Sequence, residues 1–408
     1  MTQPHPLRSY APPPRRTWRP PRSTFLDFSP PAIAPDEIDE VVDTLRSHWI
    51  TTGPKTNRFQ EAFGRTVDAP GGTSLMLNSC TAGLHLALVT LGIGPGDEVL
   101  VPTLTFAATA NVVMHVGAIP VLVDVEPDTL TMDLSDAERA IGPRTKAVIV
   151  VHYAGHPADM DGVDALAERF GLKVVEDAAH ALPAEYRKRR VGSRRNLAAF
   201  SFYATKNLTT AEGGALTGDP ELLEEARALS LHGMSRDAWR RYDKGGGPWS
   251  YDILKPGFKY NMTDMQSALG LRQLDKLDGN DAKRRSIVRR YNEAFRDEPA
   301  VRTPTERVDV RSAWHLYVLR LNLPQLTIDR NAFIETLTQK MIGVSVHYRP
   351  LHQMTFYRER LKSPTDAFPE ADAAFASMLS LPLHPGLTDT DVDDVIDAVL
   401  STVEARRA

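Results

Sequence analysis

The run Ala199-Phe200-Ser201-Phe202-Tyr203-Ala204-Thr205-Lys206-Asn207-Leu208-Thr209-Thr210-Ala211-Glu212-Gly213-Gly214 starts apolar, turns polar, offers one lysine and closes on a glycine pair. Its first residues have the length and composition of a buried strand bounded by turn signals. Lys206 then stands at the mouth of that strand, among small and hydroxyl side chains. Taken alone, a lysine is ordinarily a solvated charge, because long charged side chains are rarely buried. A partly desolvated lysine instead has a lowered pKa and can attack a carbonyl carbon as a neutral amine. Glu212-Gly213-Gly214 predicts a tight turn that lets backbone pass near the lysine.

A second stretch, Leu172-Lys173-Val174-Val175-Glu176-Asp177-Ala178-Ala179-His180-Ala181, is another strand, ending in acid, small residues and a histidine. Together the two stretches supply what pyridoxal 5'-phosphate needs. Lys206 would hold its aldehyde carbon as a Schiff base. Asp177 would pair with the ring nitrogen and keep it protonated, which makes the ring an electron sink. His180 would hydrogen-bond the cofactor or orient the aspartate; the other reading is a satisfied core histidine.

From Ser74 to Leu216 short β-rich runs alternate with helical ones, the pattern of an α/β domain around a mostly parallel sheet. Ligands of such sheets bind beyond the strand carboxyl ends, which puts Asp177 and Lys206 on one side. The 408 residues suggest two domains. A net charge of −4 gives no reason to expect nucleic acid as a partner. Cys80 is the single cysteine, so no intrachain disulfide forms and a reducing, cytoplasmic location is expected. No apolar run approaches the ~20 residues of a membrane span. Residues 1–24 form a Pro/Arg-rich, acid-free tail expected to be disordered or to dock weakly through its basic side chains. Residues 25–275 read as the large domain and 276–408 as a smaller α+β domain, with one long helix from Asp264 to Phe295 between them. Val344 to Tyr348 reads as a strand. Pro35 to Ser47 reads as a helix with Ile38, Val41, Val42 and Leu45 on one face.

Asn78-Ser79-Cys80-Thr81-Ala82-Gly83 precedes a helix with Leu84, Leu88 and Leu91 on one side. Small residues at a helix start expose backbone donors that favour a phosphate dianion, with a plainly capped helix as the other reading. His152 with His156, and His347 with His352, fall at spacings zinc tolerates. Each pair is interrupted by Gly or Pro and Cys80 has no cysteine partner, so no metal site is expected. No G-x-S-x-G turn supports a serine hydrolase.

E-D-A-A-H and S-F-Y-A-T-K-N resemble the nucleotide-sugar aminotransferases of the fold-type I pyridoxal-phosphate superfamily, and the resemblance runs from about Phe25 to the C-terminus. It implies a large domain with a mostly parallel seven-stranded sheet between helices and a smaller C-terminal domain. It also implies phosphate contacts from Thr81, Ala82 and Ser201, and ring stacking by Phe106. Asn261 of Y-N-M-T-D would be donated to the cofactor across a homodimer interface, so that each site needs two chains. Thr52 of W-I-T-T-G-P, Tyr203 (histidine in many members), and His347 and His352 of H-Y-R-P-L-H would face substrate. H-W-I-T-T-G-P, V-H-Y-A-G-H-P-A-D-M-D and F-K-Y-N-M-T-D are most similar to enzymes that aminate a UDP-linked 4-keto-pentose. The expected activity is transfer of an amino group from glutamate to a nucleotide-linked keto sugar. A dehydratase on the same fold would carry histidine in place of Lys206. A non-catalytic cofactor- or sugar-binding regulator would not need the Asp177–Lys206 pair.

Overall fold

The computed structural model describes residues 18–20, 22–235, 251–364 and 366–408. Most of the Pro/Arg-rich tail, and most of the glycine-containing loop after Met234, lie outside the described residues.

Seven strands build the main sheet: β1 (Leu75–Leu77), β2 (Glu98–Pro102), β3 (Ile119–Val123), β4 (Thr145–Val151), β5 (Lys173–Asp177), β6 (Leu197–Ser201) and β7 (Gly214–Thr217), in the order β1-β7-β6-β5-β4-β2-β3. The five strands from β6 to β3 in that order run parallel, and β7 runs antiparallel to both β6 and β1. Runs such as Ala147–Val151 are buried throughout, as expected where helices cover both faces of a parallel sheet. Register sets Asp177 beside Ala199, so the carboxyl ends of β5 and β6 open on the same edge.

The helices around the sheet are α1 (Pro35–Arg46), α2 (Pro54–Thr66), α3 (Cys80–Thr90), α4 (Ala108–His115), α5 (Leu134–Ala140), α6 (Met160–Phe170) and α7 (Pro220–Ser230). α5 has no counterpart in the sequence expectations. α3 is buried from Ala82 to Leu88 without a polar face, not amphipathic as its leucine spacing suggested. α1 departs the other way. Its apolar face looks outward, with Ile38 55% and Leu45 48% exposed, while Glu37 and Thr44 are buried.

The expected long helix is two. α8 (Asp264–Asp275), opened by a Thr263–Gln266 capping box, stops at Lys276, and α9 (Leu277–Phe295) follows. The Lys276 ammonium bonds Asp36 and Glu37, each at 2.6 Å, and fastens this break to α1.

Beyond α9 a three-stranded sheet of β8 (Val301–Arg302), β9 (Tyr317–Leu321) and β10 (Met378–Leu381) packs with α10 (Arg330–Gln339) and the last helix, α11 (Asp389–Ala405). Its core joins Tyr291, Tyr317, Phe333, Val395 and Val399, and takes in Leu26 from the chain's start. Val344–Tyr348 forms no strand; its sheet contact is a single bridge between Ser345 and Ser380. The start of the described chain lies along α11. Trp18 Nε1 donates to Glu404 at 2.7 Å, Arg19 pairs with Asp393 at 2.6 Å, and Arg22 reaches Asp391 at 2.6 Å and Asp394 at 2.7 Å. No described helix is long and apolar enough to cross a membrane.

Candidate active site

The carboxyl ends of β5 and β6, the first turn of α3 and the Ser345–Tyr348 segment enclose a cavity of about 500 Å³. That lies within the range of small-molecule sites. Asp177, His180, Ser201, Tyr203, Lys206, Thr81, Phe106 and His347 all border it. Ala82, Asn261, Thr52 and His352 do not.

Asp177 ends β5, buried, with both oxygens engaged. Thr109 on α4 donates to Oδ2 at 2.8 Å and the Ala179 amide donates to Oδ1 at 3.2 Å. Burial raises its pKa, and those two donors pull the other way. Lys206 follows β6 in a turn closed by its own amide on the Tyr203 carbonyl at 2.9 Å. Desolvation lowers its pKa to about 8, against the opposing pull of Cys80 and Asp177. A lysine so placed is about one-tenth neutral at pH 7, against less than about a thousandth for an ordinary lysine.

The α3 N-terminus is shaped by Ser79, whose Oγ accepts the Ala82 amide at 3.1 Å. That amide is therefore committed to the cap, and Cys80 and Thr81 carry first-turn N–H groups with no intrahelical partner. β7 lies hard against this turn. A Cβ on Gly214 would come within 2.5 Å of the Cys80 nitrogen and the Ser79 carbonyl carbon. Gly214 is thus required for close approach of backbone, not for the tight turn inferred from the glycine pair.

Phe106 keeps 59% of its surface open at the cavity, and its ring lies 5.7 Å from that of Tyr348. The Ala154 amide donates to His180 Nδ1 at 3.2 Å. Burial holds this imidazole neutral, far below its usual pKa, so its proton sits on Nε2. Nε2 then donates to the Tyr348 hydroxyl at 3.1 Å, which leaves the tyrosine's own proton free to point elsewhere. His347 Nδ1 meets Ser380 Oγ at 2.9 Å, and burial lowers its pKa to about 4.

Three residues that shape the site were not singled out from the sequence. Thr109 acts only because the first turn of α4 meets the carboxyl end of β5. His315, two residues before β9, lines the cavity 4.4 Å from the His180 ring. Asn207 gives its amide protons to the Leu182 and Ala313 carbonyls at 2.9 and 2.8 Å. Its Oδ1 must therefore accept from His315 Nδ1, at 3.2 Å, leaving Nε2 of that ring as an acceptor. Burial keeps His315 neutral as well.

The remaining candidates lie elsewhere. His352 is held by Thr103 and Asp372, each at 2.8 Å. Thr52 is buried, donating to the Met262 carbonyl and accepting from Asn261 Nδ2 at 2.7 Å. Asn261 Oδ1 is buried and has no partner among the described residues. His152 and His156 face protein: Glu176 and the Ala158 amide take the first, and the Pro157 carbonyl and Arg307 amide the second.

The arrangement fits pyridoxal phosphate. A buried, doubly hydrogen-bonded carboxylate, a lysine of lowered pKa, an open aromatic face and a helix N-terminus beside Ser201 and Thr81 border one cavity. A model of the DegT/DnrJ/EryC1/StrS aminotransferases matches residues 31–400. The Bacillus subtilis spore coat polysaccharide biosynthesis protein SpsC is 46% identical, over 94% of this chain and 98% of its own. Spr1654, a Streptococcus pneumoniae protein assigned as a sugar aminotransferase, superposes in its PMP form with a TM-score of 0.85 at 38% identity. The match covers 93% of this chain and 98% of that one, and the PLP form superposes equally well. Helicobacter pylori PseC, an aminotransferase of pseudoaminic acid biosynthesis, gives 0.85 at 28% identity over 94% and 100% of the two chains.

Proposed function

Because the chain belongs to the DegT/DnrJ/EryC1/StrS aminotransferase family and is a pyridoxal-phosphate-dependent sugar aminotransferase, we propose that it moves an amino group from glutamate to a nucleotide-linked 4-keto sugar, a UDP-linked 4-keto-pentose in the first instance. When bound, the cofactor supplies an electron sink for the carbanion left by loss of the Cα proton. Lys206 is its covalent anchor, and between attachments the base and acid that moves that proton. Asp177 pairs with the ring nitrogen. Its own hydrogen bonds from Thr109 and Ala179 favour the charged carboxylate that this pairing needs. Ser201 and Thr81, with the first amides of α3, hold the phosphate; the Ala82 amide contributes by fixing the cap. Phe106 covers one ring face. Burial strips charge from His180, His315 and His347, so Lys206 is the cavity's one cation among the described lining residues.

The observation that carries this reading is Lys206 and Asp177 bordering one cavity, the lysine with its pKa lowered to about 8. The outward apolar face of α1, beside Ala204, Ala211 and Leu269, supports a homodimer. The position of Asn261 outside its own chain's cavity supports that residue serving the partner's site.

The test has two parts. Purified protein reconstituted with cofactor should show a visible imine band, discharged by borohydride and absent from Lys206→Ala. A panel of UDP- and dTDP-linked keto sugars with glutamate, scored for 2-oxoglutarate, should then turn over on a 4-keto sugar. A band without turnover on any of them would remove the substrate assignment and leave the cofactor chemistry.

A further inference from the structure

A second, much smaller cavity of about 20 Å³ lies on the other side of the Lys206 turn, bordered by Ser29, Thr205, Lys206, Asn207, Asn280 and Arg284. It has room for one water or one monatomic ion. No carboxylate lines it among the described residues. Arg284, on α9, is 3% exposed. One of its terminal nitrogens donates to the Leu383 carbonyl at 2.6 Å, but its Nε–H is buried and meets no acceptor among the described residues. Burial lowers its pKa only to about 10, so the guanidinium is charged at neutral pH.

Charge around Arg284 does not balance. Asp281, one turn back, accepts from Arg285 at 3.2 Å and Arg311 at 2.5 Å, both on Oδ2. Its buried Oδ1 has no hydrogen-bond partner among the described residues, and its charge supports that of Arg284, while Glu306 accepts from Arg285 at 3.2 Å. Three guanidiniums thus share two carboxylates. The other buried carboxylate nearby, Glu37, is taken by Gln273 at 2.8 Å and Lys276 at 2.6 Å. His384, also close to Arg284, is held neutral by burial and by that cation. A buried charge left without a partner is strongly unfavourable. Water could accept the Nε–H but would bring no negative charge to the cluster, in which guanidiniums outnumber carboxylates.

We propose that this cavity binds one monatomic anion, chloride under cellular conditions, between Arg284 and the turn that carries Lys206. The Ser29 and Thr205 hydroxyls and the Asn280 amide complete a donor-rich shell. Their side chains make no other hydrogen bond among the described residues. Its size excludes phosphate, sulfate and the carboxylates of the amino donor. The bound ion ties the segment before α1, through Ser29, to the lysine turn and to α9.

Crystals soaked in bromide should show an anomalous peak within about 3.5 Å of Arg284 Nε. In solution, replacing gluconate by chloride at constant ionic strength should raise Tm by about 1–3 °C. Asn280→Asp puts a carboxylate where the anion sits, at a half-buried helix position expected to tolerate it. This variant should lose both the peak and the chloride response. Absence of bromide at Arg284, or an equal chloride response in both proteins, would overturn the assignment.

Discussion

Glu176 and Asp177 are adjacent acids on one strand, yet their surroundings assign them different work. Glu176 faces His152 at 3.1 Å on the far side of β5, whereas Asp177 borders the cavity under two donors. Asp177→Asn should keep the fold and the lysine-bound cofactor but lower kcat roughly 10²- to 10³-fold, since a preorganised charge is lost. Thr109→Val removes the stronger of the two bonds and pushes the Asp177 pKa further up; a loss of about tenfold is expected. Steady-state kinetics with an unchanged far-UV spectrum checks both. Lys206 gives a pH signature. With its pKa at about 8, the neutral fraction grows about tenfold per pH unit below that value and then levels off. The rate at which apoprotein captures pyridoxal phosphate should follow the same curve. A rate still climbing at pH 10 would mean an ordinary lysine.

The β6–β7 hairpin and the start of α3 show what was legible in the amino-acid order. Lys206, Asp177, Ser201 and Thr81 stand at ends of strongly patterned segments, where periodicity changes to turn chemistry, and the cavity forms where those ends meet. His315 and Thr109 sit inside regular patterns, a strand-like run and a helix, and only tertiary packing brings them to Lys206. The apolar stripe of α1 was equally visible, but a stripe does not say whether it faces the core or another chain. Gly214 drew notice for the wrong reason, because contact with Ser79 and Cys80 across the sheet leaves no trace in local sequence. Gly214→Ala should cost about 1–3 kcal/mol as the hairpin is pushed off α3. It should weaken cofactor binding by more than it lowers Tm. Ser79→Ala, which loses only the cap, should cost about 1 kcal/mol. Thermal melts with and without cofactor separate the two.

The proposed homodimer makes a quantitative demand. If Asn261 serves the partner's site, Lys206→Ala and Asn261→Ala are each inactive alone. Refolding them together should restore activity, to at most about a quarter of the original, because half the dimers are mixed and each holds one intact site. No recovery would place Asn261 in a structural role within its own chain. The C-terminal unit makes a different demand. Arg22→Ala breaks half-buried pairs to Asp391 and Asp394 and should lower stability by roughly 1 kcal/mol at low salt, less at high salt, without altering kcat. The same seam bears on how the protein is born. Trp18 and Leu26 are synthesised long before Glu404 and Ile342, the residues that seat them. The segment at Trp18 and Leu26 must therefore wait for those residues to be made, and the C-terminal unit cannot close before then.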